Sequence, residues 1–347
     1  MHIIDYLYQY EKRIVSPICE RKKHFDFLCL GYLEIAESLG FSTYQATTKL
    51  RMVEENTIVT DEDLESWISS YSFDYSYFYK EVEKLIEMKA NNLALTGGGC
   101  FGPLTVASSI LGTERLLKYI VKKQDFVKKF VDIITNHIIE LANLEREKID
   151  FFWVAEPIAS LLSPKRFWEF SGVYLKKIFN STLIPGILHV CGKTLYHTKY
   201  LVMTGAEVLS IDYLTDMLSC LRMVDEKTVI MGNISPINLK EGTYEEIKAE
   251  ILGLNEECKN YKNIIISTGC SVIEGTPEEN FQGIFDITHD YQCRSNKEFY
   301  LIRRMIDFLD KDMNEELLKF IEENSISDDL ISTAKYESKC RKELLNL

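Results

Sequence analysis

The apolar positions of the chain change period near residue 90. Before it they fall at helical spacing. Residues 25–39 (FDFLCLGYLEIAESL) place apolar side chains three and four apart and stop at Gly40, which predicts a helix with a glycine C-cap. Thr60 followed by Asp61, Glu62 and Asp63 predicts a capped helix over 61–69, and 77–89 (YFYKEVEKLIEMK) reads as an amphipathic helix. Beyond residue 90, short apolar runs alternate with longer helical stretches. The runs are 93–96, 149–155, 184–190, Val208–Ile211, 228–231 and 263–267, and the helices are 114–120, 126–147, 164–179, 195–204, 244–260 and 278–289. Largely apolar strands separated by helices predict a parallel sheet covered on both faces, and repeated βα units at this length favour a (β/α)8 TIM barrel. Two amphipathic helices (296–309, 315–323) and a polar tail predict a helical C-terminal extension. The expected division is a mainly helical 1–90, a barrel core over 91–292 and the extension over 293–347.

Composition narrows the classes. In 347 residues, 46% are hydrophobic and 27% charged, enough apolar material for a large core, and the net formal charge is −13. No Lys/Arg stripe stands out for a phosphate backbone, so no nucleic-acid partner is expected. The start, MHIIDYLYQYEKRIVSP, lacks the apolar core of a secretory signal. The longest uncharged run, 90–113, is broken by Gly97, Gly98, Gly99, Gly102, Pro103 and Gly112, so no membrane span is expected there. The nine scattered cysteines then read as reduced thiols and the expected location as the cytoplasm. The 97–102 segment reads as a glycine turn holding Cys100, with Pro103 opening a helix. It lacks the Lys-Ser/Thr of a P-loop, and no GxGxxG links a strand to a helix elsewhere.

The sharpest chemical feature is His189-Val190-Cys191-Gly192 at the end of an apolar strand. In a barrel, strand C-termini build the active face. Alternation along an extended chain puts His189 and Cys191 on one side. An imidazole nitrogen and a thiolate suit zinc, and Cys270, after the run 263–267, stands at the corresponding end of another strand. Three protein ligands with a fourth position open is the pattern of a reactive zinc. Free cysteines are also common as small buried hydrophobes, so spacing by itself leaves the metal and packing readings both open.

Several segments occur in an order that resembles the uroporphyrinogen decarboxylase superfamily: GPLTVASSILGTERLL (102–117), EPIASLLSPKRFWEF (156–170), ILHVCG (187–192), GAEVLSID (205–212), MGNISP (231–236) and STGCSVIEGTPEENF (267–281). Within it the chain is similar to the corrinoid-dependent methyltransferases, such as the methylcobamide:coenzyme M methyltransferases, over about residues 85–290. The resemblance implies His189, Cys191 and Cys270 as zinc ligands. The RQAGR-type segment of the decarboxylases proper is absent. The distantly related cobalamin-independent methionine synthases add an acidic ligand. Asp212 would be its counterpart here, with Glu156 as rival, although Glu156 stands where the family usually has Asp before Pro. An N-cap explains Asp212 equally well. Asn233, after Gly232, could orient a polar substrate group, and turn chemistry before Pro236 explains the same pair. The family's first strand is not evident, with 14–19 as a weak substitute.

The implied activity is transfer of a methyl group between a corrinoid (methylcobalamin) and a small thiol such as coenzyme M, with zinc holding the thiolate. Ile187 occupies the Asp position of the Asp-x-His-x-x-Gly corrinoid motif, so the corrinoid is expected on a separate corrinoid protein. A homodimer is compatible with this reading. The competing readings are a methyl-donor:corrinoid protein methyltransferase, a decarboxylase of tetrapyrrole acetates, and a non-catalytic barrel that binds a corrinoid protein or a metal.

Overall fold

Residues 25–27 do not continue into the predicted helix. In a computed structural model of the chain they form the strand β1 (Phe25–Phe27), and the helix is confined to Tyr32–Ser38. The structure describes residues 25–27, 32–47, 50–54, 58–74, 76, 83, 95–145, 149–182, 184–281, 283–284 and 296–345. Phe25-Asp26-Phe27 has the alternating period of a strand, and Phe25 pairs in parallel with Leu95. The first barrel strand is therefore β1. The proposed substitute at 14–19 lies outside the described residues, as does nearly all of the helix expected at 77–89. The expected helix end does form: Gly40 takes φ +88°, and Phe41 N–H donates to the Ala36 carbonyl. An antiparallel hairpin, β2 (Thr43–Thr47) and β3 (Leu50–Val53), follows it. Thr60 caps the helix Asp61–Ser70, its hydroxyl accepting from Asp63 N–H while the Asp63 carboxylate accepts from Thr60 N–H.

By internal contacts the chain divides into two compact units, one ending at Ser210 and the other running from Ile211 to Leu347. In the first, β1 is followed by β4 (Leu95–Phe101), β5 (Phe151–Ala155), β6 (Gly186–Val190) and β7 (Val208–Ile211), neighbours in chain order. β4 is longer than the predicted 93–96 run and passes straight through the glycines, which overturns the expected glycine turn. The register sets Gly97 against Phe151 and Gly99 against Trp153. A Cβ on Gly97 would lie 2.1 Å from the Phe151 ring, and one on Gly99, at φ +149°, 1.9 Å from the Trp153 carbonyl oxygen. The glycines thus let two strands approach, and Cys100 is buried inside a strand. β6 is buried throughout, as expected of a strand covered on both faces.

The helix Gln124–Glu145 carries Val127, Phe130, Val131, Ile134, Ile138 and Leu141, all buried, on one apolar stripe. Across the predicted helix at 164–179, the chain runs helically from Pro164 to Thr182, with Trp168–Gly172 wound as a π-helix.

In the second unit, β8 (Val229–Ile234) pairs in parallel with β9 (Ile264–Thr268) across the helices Pro236–Glu241 and Tyr244–Glu257. Three further helices, Asn296–Asp310, Asn314–Asn324 and Asp328–Leu345, form the expected C-terminal extension. They have their own core of Leu301, Ile302, Met305, Ile306, Leu317 and Ala334. Strand, helix and the next parallel strand in chain order is the plan of a TIM barrel, and the fold class is α/β. Among the described residues no helix is long and apolar enough to cross a membrane.

Candidate metal centre

β6 carries His189 one residue from its end, at the level where barrel enzymes place their chemistry. The imidazole is buried and held on two sides. Its Nδ1 lies 3.1 Å from the Ser210 carbonyl oxygen and 3.0 Å from the Ser210 hydroxyl, while Nε2 lies 3.1 Å from Cys191 Sγ. A carbonyl oxygen only accepts, so Nδ1 donates on the Ser210 side and Nε2 is the ring nitrogen that faces the cysteine. The indole of Trp153 stacks on the ring, with centroids 6.2 Å apart and planes 29° from parallel.

Cys270 follows β9 by two residues. One ligand atom from each of His189, Cys191 and Cys270 falls in a group whose members all lie within 4.8 Å of one another. Around a tetrahedral zinc, sulfur and nitrogen donors stand roughly 3.3–3.8 Å apart, from Zn–S and Zn–N bonds of about 2.3 and 2.0 Å. The donor set therefore fits a soft divalent ion after small side-chain movements. The one nitrogen bound to Ser210 faces away from the sulfur, so no potential ligand atom is wasted.

The other expected site residues have definite places. Glu156 is fully buried directly after β5. Its carboxylate accepts from Leu104 N–H (3.1 Å), Thr105 N–H (2.6 Å), the Thr105 hydroxyl (2.5 Å) and the Ser171 hydroxyl (3.3 Å). It caps the helix Pro103–Leu111 from a different part of the chain. Its own N–H donates to the His189 carbonyl at 2.8 Å. Burial pushes its pKa up to about 7, against the pull of the Thr105, Leu104 and Ser171 donors.

Asp212 is buried just past β7 and accepts from Leu214 N–H at 2.9 Å, an Asx turn. The expected N-cap of the next helix is Asp216 rather than Asp212. The Asn233 amide donates to the carbonyls of Asp212 (3.2 Å) and Thr215 (2.5 Å), tying β8 to the loop after β7. His197 is buried, with Nε2 2.8 Å from the Leu162 carbonyl, and burial lowers its pKa. Ser210 and Trp153 were not singled out by sequence. Their one available signal was position: each sits on a strand that flanks β6 in the sheet.

The chain is similar to known proteins over most of its described strands. Residues 27–291 match the family described as uroporphyrinogen decarboxylase (URO-D). A methylcobamide:CoM methyltransferase, MtaA of Methanosarcina barkeri, is 29% identical over 216 residues, which is 61% of this chain and 62% of that protein. A uroporphyrinogen decarboxylase of Prochlorococcus marinus is 25% identical over 224 residues, 60% of this chain and 62% of that protein. The match to these curated relatives thus spans about three fifths of their length. A solved methyltransferase structure from Methanosarcina mazei superposes with a TM-score of 0.63 at 24% identity, covering 77% of this chain and 80% of that one, and shares its fold. With the family match running from the end of β1 to beyond Cys270, the chain belongs to the uroporphyrinogen decarboxylase family.

Proposed function

We propose that this protein is a zinc-dependent methyltransferase that moves a methyl group between a corrinoid on a separate protein and a thiol such as coenzyme M. The observation that carries the reading is the convergence of His189, Cys191 and Cys270, whose ligand atoms lie within 4.8 Å of one another. The methylcobamide:CoM methyltransferases among its relatives support the same chemistry. Zinc bound by these residues would supply one thing, an incoming thiol held as its thiolate at neutral pH, where a free thiol is mostly protonated and a poor nucleophile.

The chain's own residues do the rest. Cys191 and Cys270 contribute thiolate ligands, whose charge keeps the centre rich in electrons, and His189 contributes a neutral nitrogen. Trp153 walls the imidazole with apolar surface and limits the approach of water. Glu156 fixes the start of the helix Pro103–Leu111 and, through its N–H, the backbone of His189. Asp212 and Asn233 shape the neighbouring loop, where their polar groups would meet a substrate.

The test is zinc content and methyl transfer from methylcobalamin to coenzyme M, measured in parallel for the wild type, Cys191→Ala and Cys270→Ala. Zinc and activity should fall together in both variants. Full zinc stoichiometry in both would sink the ligand assignment. Turnover of uroporphyrinogen by zinc-free protein would move the chain to the decarboxylase branch.

A further inference from the structure

His189 is the one expected ligand with two ring nitrogens to choose between, and only the Nδ1–H tautomer leaves an electron pair on Nε2, the nitrogen beside Cys191. We propose that Ser210 is the positioning residue of this centre. It fixes His189 as the Nδ1–H tautomer and sets the ring's rotation, so that Nε2 is presented beside Cys191 before any metal arrives.

Two contacts of one residue reach the same nitrogen. The carbonyl oxygen at 3.1 Å requires a proton on Nδ1, and the hydroxyl at 3.0 Å shares that proton as a second acceptor. Both come from β7, the strand beside β6 in the sheet, so the contact is set by strand pairing and not by a loop. Ser210 is itself buried, at 5% exposure, so water competes little for the bond. The ring cannot flip about χ2 without giving up both acceptors and turning Nδ1 toward Cys191. Trp153 flanks the ring from the other neighbouring strand, its plane 29° from that of the imidazole. Alternation along β7 supplies the reason for a small polar residue here. Leu209 and Ile211 are buried apolar neighbours, while position 210 points to the face that holds His189, where a hydroxyl finds a partner and an alkyl group would leave Nδ1 with a single acceptor.

The inference rests on the zinc reading for its purpose but not for its geometry, and the experiment separates the two. Zinc affinity of the full chain is measured by competition with a chromophoric chelator for the wild type and Ser210→Ala. Loss of an outer partner of a metal-binding histidine costs about 10- to 100-fold in affinity, and the retained carbonyl places the expected loss near 10-fold. Affinity within twofold of the wild type, in a folded variant, overturns the proposal. Where Ser210→Ala does not fold, the unaltered protein decides. Histidine labelled with 15N, in metal-free wild type at alkaline pH, should show His189 with a protonated Nδ1 and an unprotonated Nε2, its signals identified by their loss in His189→Gln. The opposite tautomer overturns the proposal. A wild type that binds no zinc yet shows the expected tautomer sinks the zinc reading and leaves the role of Ser210 in holding the ring intact.

Discussion

Replacing Glu156 with Gln should flatten the dependence of stability on pH between about pH 5 and 8. The carboxyl is fully buried, and its pKa is raised from 4.5 to about 7, chiefly by burial. An acid that is harder to ionise in the folded state than in the unfolded chain contributes stability that is complete below the unfolded value and lost as pH rises through the folded one. Linkage between 4.5 and 7 makes the wild type lose about 2.5 kcal/mol between pH 5 and pH 8 from this group alone. Glutamine does not titrate, so that share disappears. It also keeps only one acceptor oxygen where the carboxylate has two, so an amide NH2 would face Leu104 N–H or Thr105 N–H. The protonated acid that fills the site below pH 7 has the same shortage of acceptors, so the amide replaces it at little cost. Urea unfolding followed by circular dichroism at several pH values gives stability against pH for both proteins. The two curves should lie close together at pH 5, and the variant's should lie above the wild type's by pH 8. Curves that stay parallel across the window would refute the assignment of a raised pKa to Glu156.

Two further expectations concern packing. Gly97→Ala sets a methyl 2.1 Å from the buried ring of Phe151 and should destabilise by about 1–3 kcal/mol. Adding Phe151→Leu should recover part of that loss, whereas Gly99→Ala, which meets the Trp153 carbonyl, should find no such rescue; additive effects of Gly97→Ala and Phe151→Leu would refute the contact. Ile302→Ala removes a fully buried side chain from the C-terminal core and should cost about 2–5 kcal/mol, with hydrogen exchange quickening across Asn296–Asp310, Asn314–Asn324 and Asp328–Leu345. Unchanged exchange in the last two helices would mean that they do not share that core.

The parts of the fold that were legible in the sequence are those whose signal is local. Thr60 and Asp63 form the capping box that their types and spacing announce, and Val208–Ile211 has the predicted bounds because three apolar residues around a single serine, set between turn signals, leave little choice. What was not legible depends on a partner. Gly97, Gly98 and Gly99 read as a turn because glycine disfavours strands intrinsically. They lie in β4 because Phe151 and Trp153 on the next strand require space, a fact that no window around residue 98 contains. Phe25–Phe27 was absorbed into a helix because three residues give too short an alternation to outweigh the helical spacing that follows; the pairing with Leu95, some seventy positions away, decides it.

The site divides along the same line. His189 and Cys191 were legible because a period of two and a strand end put both side chains on one side, and the 3.1 Å between Nε2 and Sγ follows from that. Asp212 and Asn233 were legible as polar groups at strand ends but not as partners of each other, since the bond from the Asn233 amide to the Asp212 carbonyl joins positions 21 apart. Ser210 left no trace because serine in a strand is unremarked until the neighbouring strand presents an imidazole to it. A metal-binding histidine has a sequence signature in its spacing to the other ligands, but the residue that selects its tautomer has none, because any carbonyl or hydroxyl at the right register serves. A search for such centres is therefore sharper when it begins from the histidine's far nitrogen: an Nδ1 already committed to an acceptor marks Nε2 as the atom left for a metal.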